Sequence, residues 1–233
     1  FFGHKLRIPV LLAPMGGVER FSANGGLDVD TAAEEFGSVN FLSTVCQPSL
    51  EEVADNSPHP KSFQIYVRGD DDWIRDLVRR VVKAKYASVT LTVDSAFYGN
   101  RERLNPAQLA LRRVAAREWQ KKITWETVKL IQDEIGDIPL ILKGIMTAED
   151  AALAVEHGVQ GIYISNHGGR QLDHVLGNIQ MLPPDHGERI RVVKIAAAGQ
   201  KRDRFLAGID EIGILFALGR AGAHTEDAVL AVD

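Results

Sequence analysis

The sequence predicts an α/β fold, a closed (β/α)8 barrel of the TIM type, with residues 1–233 forming a single domain. Three observations predict it. Eight apolar, β-branched runs recur along the chain, bounded by Gly, Pro, Ser or Asp, and helical patterns follow most of them. The length of 233 residues suits one barrel of about 250 residues better than two domains. Polar residues gather at the C-terminal ends of the runs, where this fold places its chemistry. Strands joined by crossover helices also describe an open doubly wound sheet, but the count of eight favours the barrel.

In chain order the strand candidates are Ile8–Pro14, Val39–Thr44, Ser62–Val67, Ser88–Asp94, Pro139–Gly144, Gly161–Asn166, Val192–Ala198 and Glu211–Phe216. Runs apolar on successive residues are expected of parallel strands buried on both faces. Amphipathic helices are predicted over Asp72–Tyr86 and Trp125–Ile135. Thr147-Ala-Glu-Asp150 has the hydroxyl and early acids of a helix N-cap and first turn, and Gly158 is placed to end that helix. The strand ends carry Ser43-Thr44, Gln64 and Tyr66, Thr92 and Asp94, Lys143, and Ser165-Asn166-His167. A buried strand has little reason to end in Lys or His unless the ends converge on a ligand.

Composition narrows the function classes. A net charge of -4 gives no global electrostatic case for nucleic acid. The single cysteine, Cys46, excludes an internal disulfide framework and points to a reducing, cytoplasmic compartment. The longest charge-free apolar stretch, Ile8–Val18, is far shorter than the ~20 residues of a membrane span. Arg103–Lys122 carries six basic residues and one acid, with Leu109, Leu111, Val114 and Trp119 among them. A solvated surface helix is the simpler reading of that segment, and contact with a membrane surface is the alternative. No cluster of metal-ligating spacing is present, so no metal is expected.

The strongest chemical signal is Ser165-Asn166-His167-Gly168-Gly169-Arg170-Gln171-Leu172-Asp173. It offers a base at a strand end, beside glycines that let a ligand approach the backbone. A lone His is more often structural. Here Lys143 ends the preceding strand, and Asp94 and Arg101 lie at and beyond the fourth. Taken singly, Asp94 and Arg101 read as a surface ion pair, Tyr66 as a core aromatic and Lys143 as a solvated charge. Their common position at successive strand ends favours a site.

Ser165–Asp173 resembles the signature of the FMN-dependent α-hydroxy-acid oxidase and dehydrogenase family, which includes glycolate oxidase, lactate oxidase and mandelate dehydrogenase. Leu12-Ala13-Pro14-Met15-Gly16, Leu42-Ser43-Thr44, Phe63-Gln64-Ile65-Tyr66-Val67, Leu91-Thr92-Val93-Asp94 and Leu142-Lys143-Gly144 are similar in the same order. The likeness runs from about Arg7 to Asp173. It implies FMN across the barrel mouth, contacted near Pro14, Met15 and Gly16 and by Ser43, Gln64, Thr92 and Ser165. Lys143 would face the flavin's N1 and C2 carbonyl. Arg101 and Arg170 would hold a 2-hydroxy acid by its carboxylate, Tyr66 would hydrogen-bond it, and His167, oriented by Asp94, would take its proton. The electron acceptor, whether oxygen, a quinone or a cytochrome, is left open, and a homo-oligomer is implied by analogy.

The sequence departs from the family in three places. The family carries an N-terminal segment with a substrate-binding tyrosine before the barrel, whereas this sequence starts near the first strand. The loop after strand four is short. The family's Asp-Gly-Gly at the seventh strand is replaced by Ala197-Ala198-Gly199-Gln200-Lys201-Arg202, with Gly219-Arg220 later. Gly199, Lys201 and Arg202 are the expected phosphate contacts, Gly219-Arg220 less so. Two other functions fit a barrel of this kind: another FMN chemistry such as an FMN-dependent isomerase, and a catalytically silent barrel acting as a binding protein.

Overall fold

A computed structural model describes residues 1–8, 10–97, 117–171, 174–181, 190–196 and 213–218. Its strands are β1 (Val10–Leu12), β2 (Asn40–Ser43), β3 (Lys61–Ile65), β4 (Ser88–Thr92), β5 (Leu140–Ile145), β6 (Gly161–Ile164), β7 (Ile190–Ala196) and β8 (Gly213–Leu218). The helices are α1 (Gly26–Phe36), α2 (Leu50–Asn56), α3 (Asp71–Lys83), α4 (Arg117–Gln120), α5 (Trp125–Ile135) and α6 (Ala148–Glu156), with 3-10 turns at Val18–Arg20 and Asn178–Met181. Among the described residues no helix is long and apolar enough to cross a membrane.

The strands close into a barrel in the order β1-β2-β3-β4-β5-β6-β8-β7. From β1 to β6 every pairing is parallel, and β7 pairs parallel with β1. The expected run of parallel strands fails at the last one. β8 lies between β6 and β7 and runs antiparallel to both. Its sequence, Gly-Ile-Leu-Phe-Ala-Leu, is apolar throughout. Such a pattern marks a strand but carries no sense of direction, so hydropathy could not orient it.

β2, β3, β4 and β6 are buried at every residue, as expected of strands covered on both faces, and successive side chains take opposite faces. Leu42, Phe63, Ile65, Val89, Leu91, Leu140, Leu142, Ile162 and Ile164 pack outward with Leu77, Val78, Val81, Val128 and Ile131 of the helices. Each such burial contributes about 1.5–3 kcal/mol. The other face holds Phe41, Ile141 and Tyr163 in an apolar layer with Leu11, Ala13 and Val39. On that same face Ser43, Gln64, Thr92, Lys143 and Ser165 are buried and polar. A barrel that buries this polar set has committed its mouth to something other than packing.

Helix ends follow the sequence signals. Ser49 and Glu52 form a capping box on α2, and Asp70 accepts from Trp73 N at 3.0 Å to start α3. Thr147 accepts from Asp150 N at 3.1 Å, and Gly158 turns the chain out of α6 with φ +72. α5 keeps its predicted bounds, whereas α3 ends at Lys83, before Tyr86. Lys85 takes a left-handed φ of +59, which ends the helix. Tyr86 instead donates to Leu50 O at 2.9 Å and packs edge-on against Phe63. Of Arg103–Lys122, only the part from residue 117 onward falls among the described residues.

Candidate active site

The polar layer is built by register. Ser43 of β2 pairs with Gln64 of β3, and Thr92 of β4 pairs with Lys143 of β5. Ser43 Oγ donates to Gln64 Oε1 at 2.6 Å, and Gln64 Nε2 donates to Thr92 Oγ1 at 2.6 Å. These linked side chains fix the amide's orientation across three strands. Lys143, 6% exposed, donates from Nζ to Ser165 Oγ at 3.1 Å and lies 5.0 Å from the Tyr163 ring centroid. Ser165 Oγ also accepts from His167 N at 3.2 Å. One hydroxyl therefore links the buried cation to the backbone of the histidine.

His167 begins the turn after β6 with a left-handed φ of +56, followed by Gly168 at +63 and Gly169 at +67. Such a φ is costly for a non-glycine residue and persists only where the surroundings enforce it. Asn166 supports the turn, its Oδ1 accepting from Gly169 N at 3.0 Å. Asp94 Oδ2 lies 2.6 Å from His167 Nδ1, and Tyr66 Oη lies 2.8 Å from Nε2. The carboxylate can only accept, so the network assigns the proton to Nδ1, which donates to Asp94. In the neutral ring Nε2 then keeps its lone pair and accepts from Tyr66. A base is thereby presented at one defined atom.

The structure brings Tyr66, Asp94, Lys143, Ser165 and His167 together at one mouth, beside Ser43, Gln64 and Thr92. Pro14, Met15 and Gly16 follow β1 at the same end. A Cβ on Gly16 would stand 2.5 Å from Val45 Cγ2, so the loops after β1 and β2 meet at close range. Arg170 is exposed in the histidine turn, its N donating to His167 O at 3.3 Å. Arg101, Gly199, Lys201, Arg202 and Gly219-Arg220 lie outside the described residues. Sequence reasoning gives Thr44 no role in the site, yet its Oγ1 donates to Gln64 O at 2.6 Å and accepts from Tyr66 N at 3.1 Å. A second polar residue directly after Ser43 was the available signal.

The sequence profile of the FMN-dependent dehydrogenase family matches residues 1–118 and 104–195. The chain belongs to this family. It is 35% identical to an L-lactate oxidase of Nostoc sp., over 78% of its own length and 58% of that relative. It is 33% identical to the glycolate oxidase of Spinacia oleracea, covering 77% of itself and 55% of the relative. Among solved structures, a mandelate oxidase superposes with a TM-score of 0.71 at 36% identity, covering 78% of this chain and 56% of that one. The chain thus spans a little over half the length of these relatives. FMN is the cofactor of the family, and a mandelate oxidase structure holds an FMN adduct. The mouth of this barrel fits such a group: a buried cation and a hydrogen-bonded polar rim suit a flat heterocycle with a polar edge.

Proposed function

We propose that this chain carries the catalytic barrel of an enzyme that oxidises an L-2-hydroxy acid to its 2-oxo acid, with His167 as the base. The observation that carries the reading is the imidazole held between Asp94 at 2.6 Å and Tyr66 at 2.8 Å. His167 Nε2 takes the proton that the substrate gives up, and the Asp94 carboxylate offsets the imidazolium charge so formed. Tyr66 turns its hydroxyl from Nε2 to the substrate as the latter enters. Arg101 and Arg170 hold the substrate carboxylate, for which a planar guanidinium fork is suited. FMN, when bound, supplies the acceptor for the electron pair removed from the substrate. Ser43, Gln64, Thr92, Lys143 and the Pro14–Gly16 loop hold its ring, and Gly199, Lys201 and Arg202 its phosphate.

The relatives named above are oxidases of lactate, glycolate and mandelate. Their names favour a substrate of that class, and oxygen over a quinone or a cytochrome as final acceptor. Anaerobic stopped-flow mixing of FMN-loaded protein with these acids tests the reading. Wild type should bleach the oxidised flavin band. His167→Gln should retain FMN, judged by thermal shift, and bleach about 10²–10⁴-fold more slowly, because glutamine cannot accept a proton at neutral pH. Bleaching by His167→Gln within a few-fold of wild type refutes the base. Failure of wild type to bind FMN points instead to the silent barrel.

A further inference from the structure

Asp94 and His167 are partners, yet their strands are not neighbours. Asp94 follows β4 and His167 follows β6, so β5 runs between them. Val93 N donates to Lys143 O at 2.8 Å, which extends the β4–β5 ladder and delivers Asp94 alongside Gly144. The β5–β6 register shifts at this point: Lys143 pairs with Tyr163 and Ile145 with Ile164, leaving Gly144 as the extra residue of a bulge. Its φ is +110. A Cβ built on Gly144 would stand 2.6 Å from both Cβ and Cγ of Asp94 and 2.9 Å from its backbone N. Real Cβ atoms do not approach other atoms so closely. The space that a side chain at 144 would fill is already occupied by the Asp94 side chain.

We propose that Gly144 is a positioning residue for the reaction: its bulge and missing Cβ let the Asp94 carboxylate cross β5 and reach Nδ1 of His167. A glycine kept only for its backbone angle would need no particular neighbour where its Cβ would be. Here that place is taken by the group that orients the base. Bulges next to active sites re-aim side chains, and this one clears the path for a side chain from the adjacent strand. The sequence signal is a glycine directly after Lys143 inside a strand. The inference rests on His167 being the base only for its effect on rate; the displacement of Asp94 is independent of turnover.

The test uses the whole chain with FMN and the variants Gly144→Ala, Asp94→Gly and Asp94→Asn, singly and with Gly144→Ala added to each Asp94 variant. The imidazole proton shared between His167 Nδ1 and Asp94 should give a downfield resonance in isotope-labelled histidine spectra. Its absence in His167→Gln assigns it among the seven histidines. Folded Gly144→Ala should lose that resonance and reduce flavin on the order of 100-fold more slowly, the usual scale for a misplaced group. Combining Gly144→Ala with Asp94→Asn should slow reduction no further than Asp94→Asn alone. Gly144→Ala should also lower Tm, through backbone strain and through the clash together, and the double variant with Asp94→Gly separates the two causes. Part of the lost Tm should return when Asp94→Gly removes the clashing side-chain atoms. A resonance retained in folded Gly144→Ala, or a loss of Tm that is the same with and without Asp94→Gly, overturns the proposal. If His167→Gln reduces flavin normally, the base assignment fails, while the resonance and the Tm cycle still decide the role of Gly144.

Discussion

Replacing Asp94 by Asn removes a charge from the site and changes little in shape. The carboxylate oxygen stands 2.6 Å from His167 Nδ1, and the two side chains are only 12% and 14% exposed. Once Nε2 has taken a proton, opposite charges face each other with centres about 4 Å apart, worth about 4 kcal/mol at an effective dielectric of about 20. The asparagine amide recovers part of this as a hydrogen bond, so the net loss should be about 2–4 kcal/mol, or roughly 30- to 1,000-fold in rate. The tautomer adds to the loss. An amide NH2 turned toward Nδ1 favours the ring with its proton on Nε2, which has no lone pair left to accept another. Anaerobic stopped-flow gives the rate of flavin bleaching, and thermal denaturation checks that the fold is intact. Reduction by Asp94→Asn within about threefold of wild type, a difference under about 1 kcal/mol, would refute the charge-balance reasoning.

Two further variants test the frame that holds the site. Lys61 and Asp30, 4% and 0% exposed, form an ion pair at 3.4 Å at the start of β3. Lys61→Met should destabilise by about 3–5 kcal/mol in urea at neutral pH, with Asp30→Asn added in the same chain recovering part. Burial already raises the Asp30 carboxyl above its ordinary range, against the opposing pull of Lys61. A raised folded value contributes stability that is present below the ordinary value and lost as pH rises through the raised one. Removing Lys61 raises it further, so Lys61→Met should regain stability on mild acidification, and a flat profile would contradict this. Thr147→Ala removes the cap contact to Asp150 N and should cost about 0.5–2 kcal/mol in urea with flavin reduction unchanged, since α6 holds no residue of the site.

What is legible in the sequence is what local pattern determines. β2 to β6 appear within a residue or two of their expected starts, and Thr147 and Gly158 bound α6 as their chemistry suggests. The site residues stand out because a polar or charged side chain at a strand end has no packing reason to be there. The misses share a different cause. Lys61 falls outside the predicted strand because a lysine at a boundary reads as solvated, yet three acceptors, Ser57 O, His59 O and Asp30 Oδ2, bury it. The direction of β8 depends on which strands it pairs with, and no periodicity encodes that. Gly144 matters through a neighbour distant in sequence, Asp94.

The relative placement of the base and the cation follows from pairing rather than from loops. Lys143 and Tyr163 are partners in the β5–β6 register, and Ser165 lies two residues beyond Tyr163 on the same face. Its hydroxyl accepts from both Lys143 Nζ and His167 N. A shift of β6 by one residue would turn Ser165 outward and release its contact with Lys143, because side chains alternate along a strand. The outward-facing Ile162 and Ile164 would then have to enter the polar layer, giving up their contacts with the helices. Hydrophobic packing outside the barrel thus holds the register that sets the chemistry inside it. This explains how a short strand can place a histidine in a left-handed turn without further support from its own length. The strain at His167 is opposed by buried area on β6 and by hydrogen bonds to Ser165, Asp94 and Tyr66.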